Sequence, residues 1–209
     1  MLTISEDAFN LIVTEEDSDE AYYTRHYQHF DWPQGASGPT IGIGYDCGYV
    51  TAGEARTDWA GIADDATIGA IVAACGIKGE AAGAWVRAHG ASVTITWDQA
   101  IAEFRDREVP KWIDRVCAAL TNLDKLSPDS LGALVSLAYN RGCSFDLPGP
   151  RYAEMRAIKA LMASSDFAKI PAEFLSMQRL WPRGGDLWKR RAHEAALFQK
   201  GLSEPASVS

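Results

Sequence analysis

Carboxylates set against apolar helix faces and glycine-lined turns are the groups of this chain best suited to chemistry. The first is Glu16. Phe9, Ile12, Val13 and Glu16 fall at i, i+3, i+4 and i+7, one face of a helix. A carboxylate that ends an apolar stripe faces other elements rather than bulk water. Partial burial penalises its charged form, and a carboxyl that stays protonated near neutrality can act as a general acid. The bland alternative is a helix-end residue in the acidic run "TEEDSDE". Glu15, off the stripe, is expected to be exposed.

The second candidate region is "SGPTIGIGYDCGY", residues 37–49. Thr40, Ile41 and Ile43 favour a strand, whereas Gly42 and Gly44 weaken one. Alternating glycines imply that another strand at a tight bend, or a ligand, comes close to the backbone. Asp46, directly after a short strand, is placed to hold a water or to stabilise positive charge; its ordinary role is that of a turn residue. Thr40 alone is an ordinary strand residue. Further on, Asn140 and Arg141 end an apolar helix, where polar side chains either cap the helix or line a cleft. Arg141 suits an acidic substrate group, or the carbonyls of the helix end.

Two rival chemistries are weaker. Cys47 follows Asp46 in a glycine setting, but catalytic thiols usually open a helix, where the dipole lowers their pKa, and Gly48 to Val50 reads as strand. His26 and His29 have metal-pair spacing without further Cys or His nearby, so surface histidines are expected. The four cysteines, Cys47, Cys75, Cys117 and Cys143, contain no C-x-x-C pair, which argues against zinc. No metal and no cofactor are expected. Buried thiols are the ordinary reading, with disulfides left open.

These residues need elements to position them. Ser5 is a good N-cap, with Glu6 and Asp7 favourable in the first turn. Residues 17–39 show no clear period. A small hairpin follows at about 38–52, and residues 54–92 read as short helices with stops at Gly76, Gly79 and Gly90. Thr96 and Gln99 form a capping box for a helix striped by Trp97, Ile101 and Phe104, which Pro110 interrupts or restarts. Ser127 and Pro128 open "LSPDSLGALVSLAYNRG", apolar on nearly every side and therefore a buried central helix. It stops at Gly142. Two more helices are expected at 151–163 and 187–200. The predicted architecture is α+β, mostly α: one domain over 1–201 with a helical lobe from about 95, then a tail at 202–209.

At 209 residues, 47% hydrophobic and 23% charged, the composition is that of a globular protein with a real core. A net charge of −8 argues against nucleic acid as the main partner. Arg183, Lys189, Arg190 and Arg191 form one basic cluster, which reads as a solvated helix face. No apolar run is long enough for a membrane span. The first residues do not read as a conventional signal peptide, so synthesis in a bacterial cytoplasm is expected, with action on the wall after release or delivery.

Four segments, "LIVTEEDSDEAYY", "TIGIGYD", "LVSLAYNRG" and "RRAHEAALFQKG", occur in an order that resembles phage-type lysozymes, the endolysin muramidases of glycoside hydrolase family 24. The resemblance spans roughly residues 5–201, with an insertion-like stretch at 54–92. It implies a lysozyme-like fold and cleavage of the β-1,4 bond between N-acetylmuramic acid and N-acetylglucosamine in bacterial peptidoglycan. The family's catalytic Glu falls on Glu16, its threonine on Thr40 and its sugar-contacting helix residue on Asn140. The family aspartate, about nine residues after its Glu, meets Arg25 here, and the residue after the Glu is Asp17 where the family has glycine. Asp46 is therefore the first choice for a second carboxylate and Asp31 the second, with Tyr45 and Asp46 projecting into a cleft. A lytic transglycosylase, an antibacterial effector toxin with its own inhibitor protein, and a glycan binder without activity are the alternatives within this fold. A thiol amidase using Cys47 is the alternative outside it. A monomer is expected.

Overall fold

The computed structural model describes residues 2–17 and 19–206. Among these, eleven α-helices and one two-stranded antiparallel sheet make the protein α+β and mostly α. The chain forms two compact units. One contains residues up to Glu15 together with Val109 onward, and the other contains Glu16–Glu108. The sequence predicts a single domain with a helical lobe from about 95; residues 95–108 cluster with the hairpin in the second unit.

The C-terminal unit is built on helices that the sequence announces. Helix α1, Glu6–Asp17, starts where Ser5 Oγ accepts the Ala8 N–H at 3.0 Å. Its stripe is real: Phe9, Ile12 and Val13 are buried. The boundary between the units falls inside α1, between Glu15 and Glu16. Helix α8, Pro128–Arg141, opens on Ser127, whose side chain accepts the Ser130 N–H, and every residue from Asp129 to Ala138 is buried. Gly132 lies so close to Ala8 that a Cβ there would overlap it. Close approach of α1 to α8 therefore requires glycine at 132. Gly142 ends α8 with φ +71°, a conformation that favours glycine.

Helix α11, Asp186–Gly201, packs along α8: Ser130 Oγ donates to the Phe198 carbonyl at 3.0 Å, and Ser136 Oγ donates to Glu194 at 2.7 Å. Arg190 and Arg191, expected on a solvated face, are 1% and 0% exposed. Glu194 holds both in an internal ion-pair network, whereas Arg183 and Lys189 of the same cluster are exposed as expected. The N-terminal part of α11 completes that network from within one helix, since residues three and four apart share a face. Helix α7 is Val109–Ala119, α9 is Ala153–Ser164 and α10 is Ile170–Ser176. Residues 207–209, part of the expected tail, lie outside the described residues.

The second unit contains α2, Glu20–His26, in the stretch where no period is visible in the sequence. Asp19 caps it by accepting the Tyr22 N–H at 2.8 Å. Strands β1, Thr40–Ile41, and β2, Tyr45–Asp46, pair Thr40 with Asp46 and Ile41 with Tyr45. Gly42 and Gly44, with φ +63° and +71°, let three residues reverse the chain. Helices α3, Ala52–Trp59, α4, Asp65–Ala74, and α5, Glu80–His89, follow. Helix α6, Trp97–Glu103, opens on the Thr96–Gln99 capping box. Residues Phe104–Glu108 then widen into a π-helical turn before α7. Pro110 has no N–H to donate and its ring crowds the carbonyl four residues earlier, which accounts for the break.

Candidate active site

Glu16, half-buried at the end of its stripe, lines a cavity of about 230 Å³ in the second unit. Thr40, Ile41, Gly42 and Gly44 of the hairpin form one wall, and Tyr27, His29, Asp31 and Pro33 form the rest. The short sheet sets part of this geometry. Asp31 and Thr40 exchange both backbone hydrogen bonds, at 2.9 and 2.8 Å. That bridge fixes Asp31 beside Thr40, although eight residues lie between them and no periodicity in the sequence announces the pairing. Thr40 Oγ1 donates to the Gly38 carbonyl at 3.3 Å, which leaves its lone pairs for a donor in the cavity.

His29 was expected at the surface with no role. It is half-buried, lines the cavity, and its Nδ1 lies 2.7 Å from the Val93 carbonyl. A carbonyl only accepts, so Nδ1 carries the proton and the neutral ring has Nε2 as an acceptor. A histidine so oriented is equipped to take a proton.

Asp46 and Tyr45 do not fulfil the expectation that they project into a cleft. Asp46 Oδ1 accepts the N–H groups of Gly38 and Gly48, each at 2.9 Å, and caps a short 3₁₀ turn at Cys47–Tyr49. Gly38 and Gly48 pass so close that a Cβ on either would overlap the other's backbone. Asp46 therefore ties the hairpin to the residues that follow it. Tyr45 is 2% exposed, edge-on to Trp59, with its hydroxyl donating to Asp58 at 2.9 Å. Burial, with Asp58 beside it, pushes its phenol pKa up. Arg25, at the offset of the family aspartate, is exposed on α2 and bonds the Ala21 carbonyl.

Glu15 is the other reversal. Expected in solvent, its side chain is 13% exposed and its Oε1 lies 2.8 Å from His193 Nδ1. Cys47 is fully buried, and burial, reinforced by Cys75 and Asp46, raises its thiol well above the ordinary value. A thiol kept protonated is a poor nucleophile. All four cysteines are unbridged. Asp58, Glu103 and Glu108 bring carboxylate oxygens within 4.8 Å of one another, a donor set of the kind hard cations use; none of the three lines the Glu16 cavity.

Asn140 and Arg141 lie in the other unit and line a separate cavity of about 160 Å³ with Arg151, Tyr152, Trp181 and Leu187. Asn140 Oδ1 accepts from Arg191 Nη2 at 3.1 Å.

No protein-family model matches the chain, and no curated protein is significantly similar to it. The class that fold and site define thus rests on the geometry: a mostly helical α+β protein with a carboxyl, a hydroxyl and an imidazole converging on a glycine-walled cavity.

Proposed function

We propose that this protein is a peptidoglycan hydrolase, a muramidase that cleaves the β-1,4 bond between N-acetylmuramic acid and N-acetylglucosamine. The observation that carries the reading is the convergence of Glu16, Asp31 and Thr40 on one cavity whose wall is the glycine hairpin. Glu16 is the general acid that protonates the leaving glycosidic oxygen. As that bond breaks, positive charge grows on the sugar ring, and the Asp31 carboxylate stabilises it. Water then adds at the anomeric carbon, with Thr40 orienting it and its proton passing to Asp31 or to His29 Nε2. Gly42 and Gly44 present bare backbone to the sugar chain. Asp31 thus replaces Asp46 as the proposed second carboxylate, because both short bonds to Asp46 Oδ1 serve the turn. Of the settings that the sequence motifs allow, a phage-type endolysin is the one proposed.

Glu16→Gln tests this. The variant should keep its circular-dichroism spectrum and lose about 10²–10⁴-fold in the rate at which it clears purified cell walls. Mass spectrometry of the wild-type digest should show reducing muramic ends. Anhydro-muramic ends would assign a lytic transglycosylase, freed peptides an amidase, and unchanged clearing by the variant would end the assignment of Glu16.

A further inference from the structure

Helix α2 carries aromatic rings that its own anchoring does not use. The helix is held through Tyr23, which is buried, lies 5.3 Å from Trp97 between ring centres and donates its hydroxyl to the Ile95 carbonyl at 3.0 Å. Tyr22 and His26, four residues apart, share another face. Tyr22 is 39% exposed, and His26 is exposed as well. Their ring centres lie 4.4 Å apart. Tyr27, the residue after the helix, stands edge-on to Tyr22 at 5.7 Å and lies 6.2 Å from His26. Single exposed rings are ordinary, but three in mutual contact make a surface. Among the described residues, the Tyr22 hydroxyl and the His26 ring nitrogens find no hydrogen-bond partner.

Tyr27 joins this surface to the cavity of Glu16, whose wall it shares with His29, Asp31 and Thr40. Tyr49 and Trp85 of the same unit are differently placed. Tyr49 donates its hydroxyl to the Ala36 carbonyl at 3.1 Å, with Lys78 Nζ 3.6 Å from its ring centre. Trp85 stacks on His89 and stands edge-on to Phe30. The size of the cavity gives the continuity through Tyr27 its meaning. At about 230 Å³ it is smaller than the ~300–1,000 Å³ that holds a whole ligand. A bond between two sugars brings at least two rings to Glu16, so part of the glycan lies outside the cavity.

We propose that Tyr22, His26 and Tyr27 form a sugar-binding subsite, which seats a ring of the glycan strand next to the one in the cavity. A pyranose ring suits this surface. Its C–H face packs on an aromatic ring, and its hydroxyl and acetamido groups, donors and acceptors together, meet the phenol and the imidazole. On this helix Arg25 takes the place of the family aspartate, and the resemblance assigns Tyr22 and His26 no role. That the glycan is a wall strand rests on the muramidase reading.

The test is an NMR titration of Glu16→Gln, which binds without cleaving. The two probes are the disaccharide of N-acetylglucosamine and N-acetylmuramic acid and the tetrasaccharide that repeats it. The tetrasaccharide should bind more tightly. Tyr22→Ala in that background should weaken it about tenfold, the scale of one lost aromatic contact, and leave the disaccharide unchanged. His26→Ala should act in the same direction. Tyr22→Phe should keep most of the affinity, because the ring face remains. Equal affinity for the two probes, no binding of the tetrasaccharide, or undiminished tetrasaccharide affinity in both alanine variants would overturn the proposal. An equal loss for both probes would overturn it too, since rings that merely hold α2 in place act on the whole cavity. If instead the muramidase reading fails, walls yield no cut glycan with the wild-type protein, while the ring-dependent preference for the longer probe persists.

Discussion

Replacing Glu194 by leucine removes a buried carboxylate that holds two buried guanidiniums. Glu194 is 0% exposed, and its partners Arg190 and Arg191 are 1% and 0% exposed. Its Oε1 accepts from Ser136 at 2.7 Å, Arg191 Nη2 at 3.0 Å and Arg190 Nε at 3.3 Å, while Oε2 lies 3.0 Å from Arg191 Nε. Leucine takes this carboxylate away from two adjacent buried cations and removes the acceptor of the Ser136 hydroxyl. Breaking a buried pair by deleting one partner costs about 3–5 kcal/mol. A protein of this size loses roughly 2–4 °C in Tm per kcal/mol, so Tm should fall by about 6–20 °C. Against a total stability of about 5–15 kcal/mol, that is a severe loss. Glu194→Gln keeps the shape but turns an amide N–H toward donors, so it should cost nearly as much. Lys189→Ala, one position from the pair but half-exposed and only 3.7 Å from an exposed Asp186, should change stability by less than about 0.5 kcal/mol. Urea unfolding followed by far-ultraviolet circular dichroism measures all three. A loss below about 1 kcal/mol for Glu194→Leu would show that the arginines find solvent or other partners, and the account of this core would be wrong.

Gly38→Ala should cost about 1–3 kcal/mol, because its Cβ would overlap the Gly48 backbone; wall clearing should fall with it if hairpin geometry sets the site. In the native protein a thiol reagent should modify exposed Cys117 readily and buried Cys47 only after denaturation, with wall clearing unaffected; loss of activity tracking Cys47 modification would favour thiol chemistry. Burial alone would push Glu154 up, but hydrogen bonds from Arg179, its own backbone and Ser176 bring it below the ordinary carboxylate range. A carboxyl depressed in the folded state contributes its stability above the unfolded pKa of about 4.3 and loses it as pH falls through the lower folded value. The stability gap between wild type and Glu154→Gln should therefore shrink as pH drops below about 4.3; a gap that is constant with pH would refute the assignment. His29→Ala should slow wall clearing without shifting Tm by more than a few degrees, and unchanged rates would remove it from the proton path.

What was legible in the sequence was what local chemistry decides. Ser5, Thr96, Ser127 and Pro128 marked helix starts because a missing donor or a side-chain acceptor acts within one turn. The stripe Phe9–Ile12–Val13–Glu16 pointed the last residue inward because periodicity encodes a face. Pro171, at the first turn of α10, is the one local signal in the sequence for that helix start. Helix α2 shows no period because Glu20–His26 is mostly polar and buries only Tyr23. Arg190 and Arg191 looked like a solvated cluster because charge patterning cannot distinguish a surface run from one enclosed around Glu194. Glu15 looked exposed for the same reason: its partner His193 lies 178 residues away.

The proposed exchange of Asp46 for Asp31 turns on contacts that sequence does not encode. Both are aspartates near the glycine hairpin, and both were candidates. Asp46 stands in β2 beside Gly48, and the chain's need to pass Gly38 against Gly48 requires an acceptor for two backbone N–H groups at once. Its side chain meets that need, as an aspartate at a turn commonly does. Asp31 pairs with Thr40 only through backbone groups, so the pairing holds its Cα in place and leaves the carboxylate uncommitted to the ladder. A catalytic carboxylate needs a fixed backbone and an unspent side chain. Asp31→Asn should therefore impair wall clearing at nearly unchanged stability, whereas Asp46→Asn should lower stability first. If Asp46→Asn abolished clearing with Tm intact while Asp31→Asn cleared walls normally, the second carboxylate would have to be reassigned to Asp46.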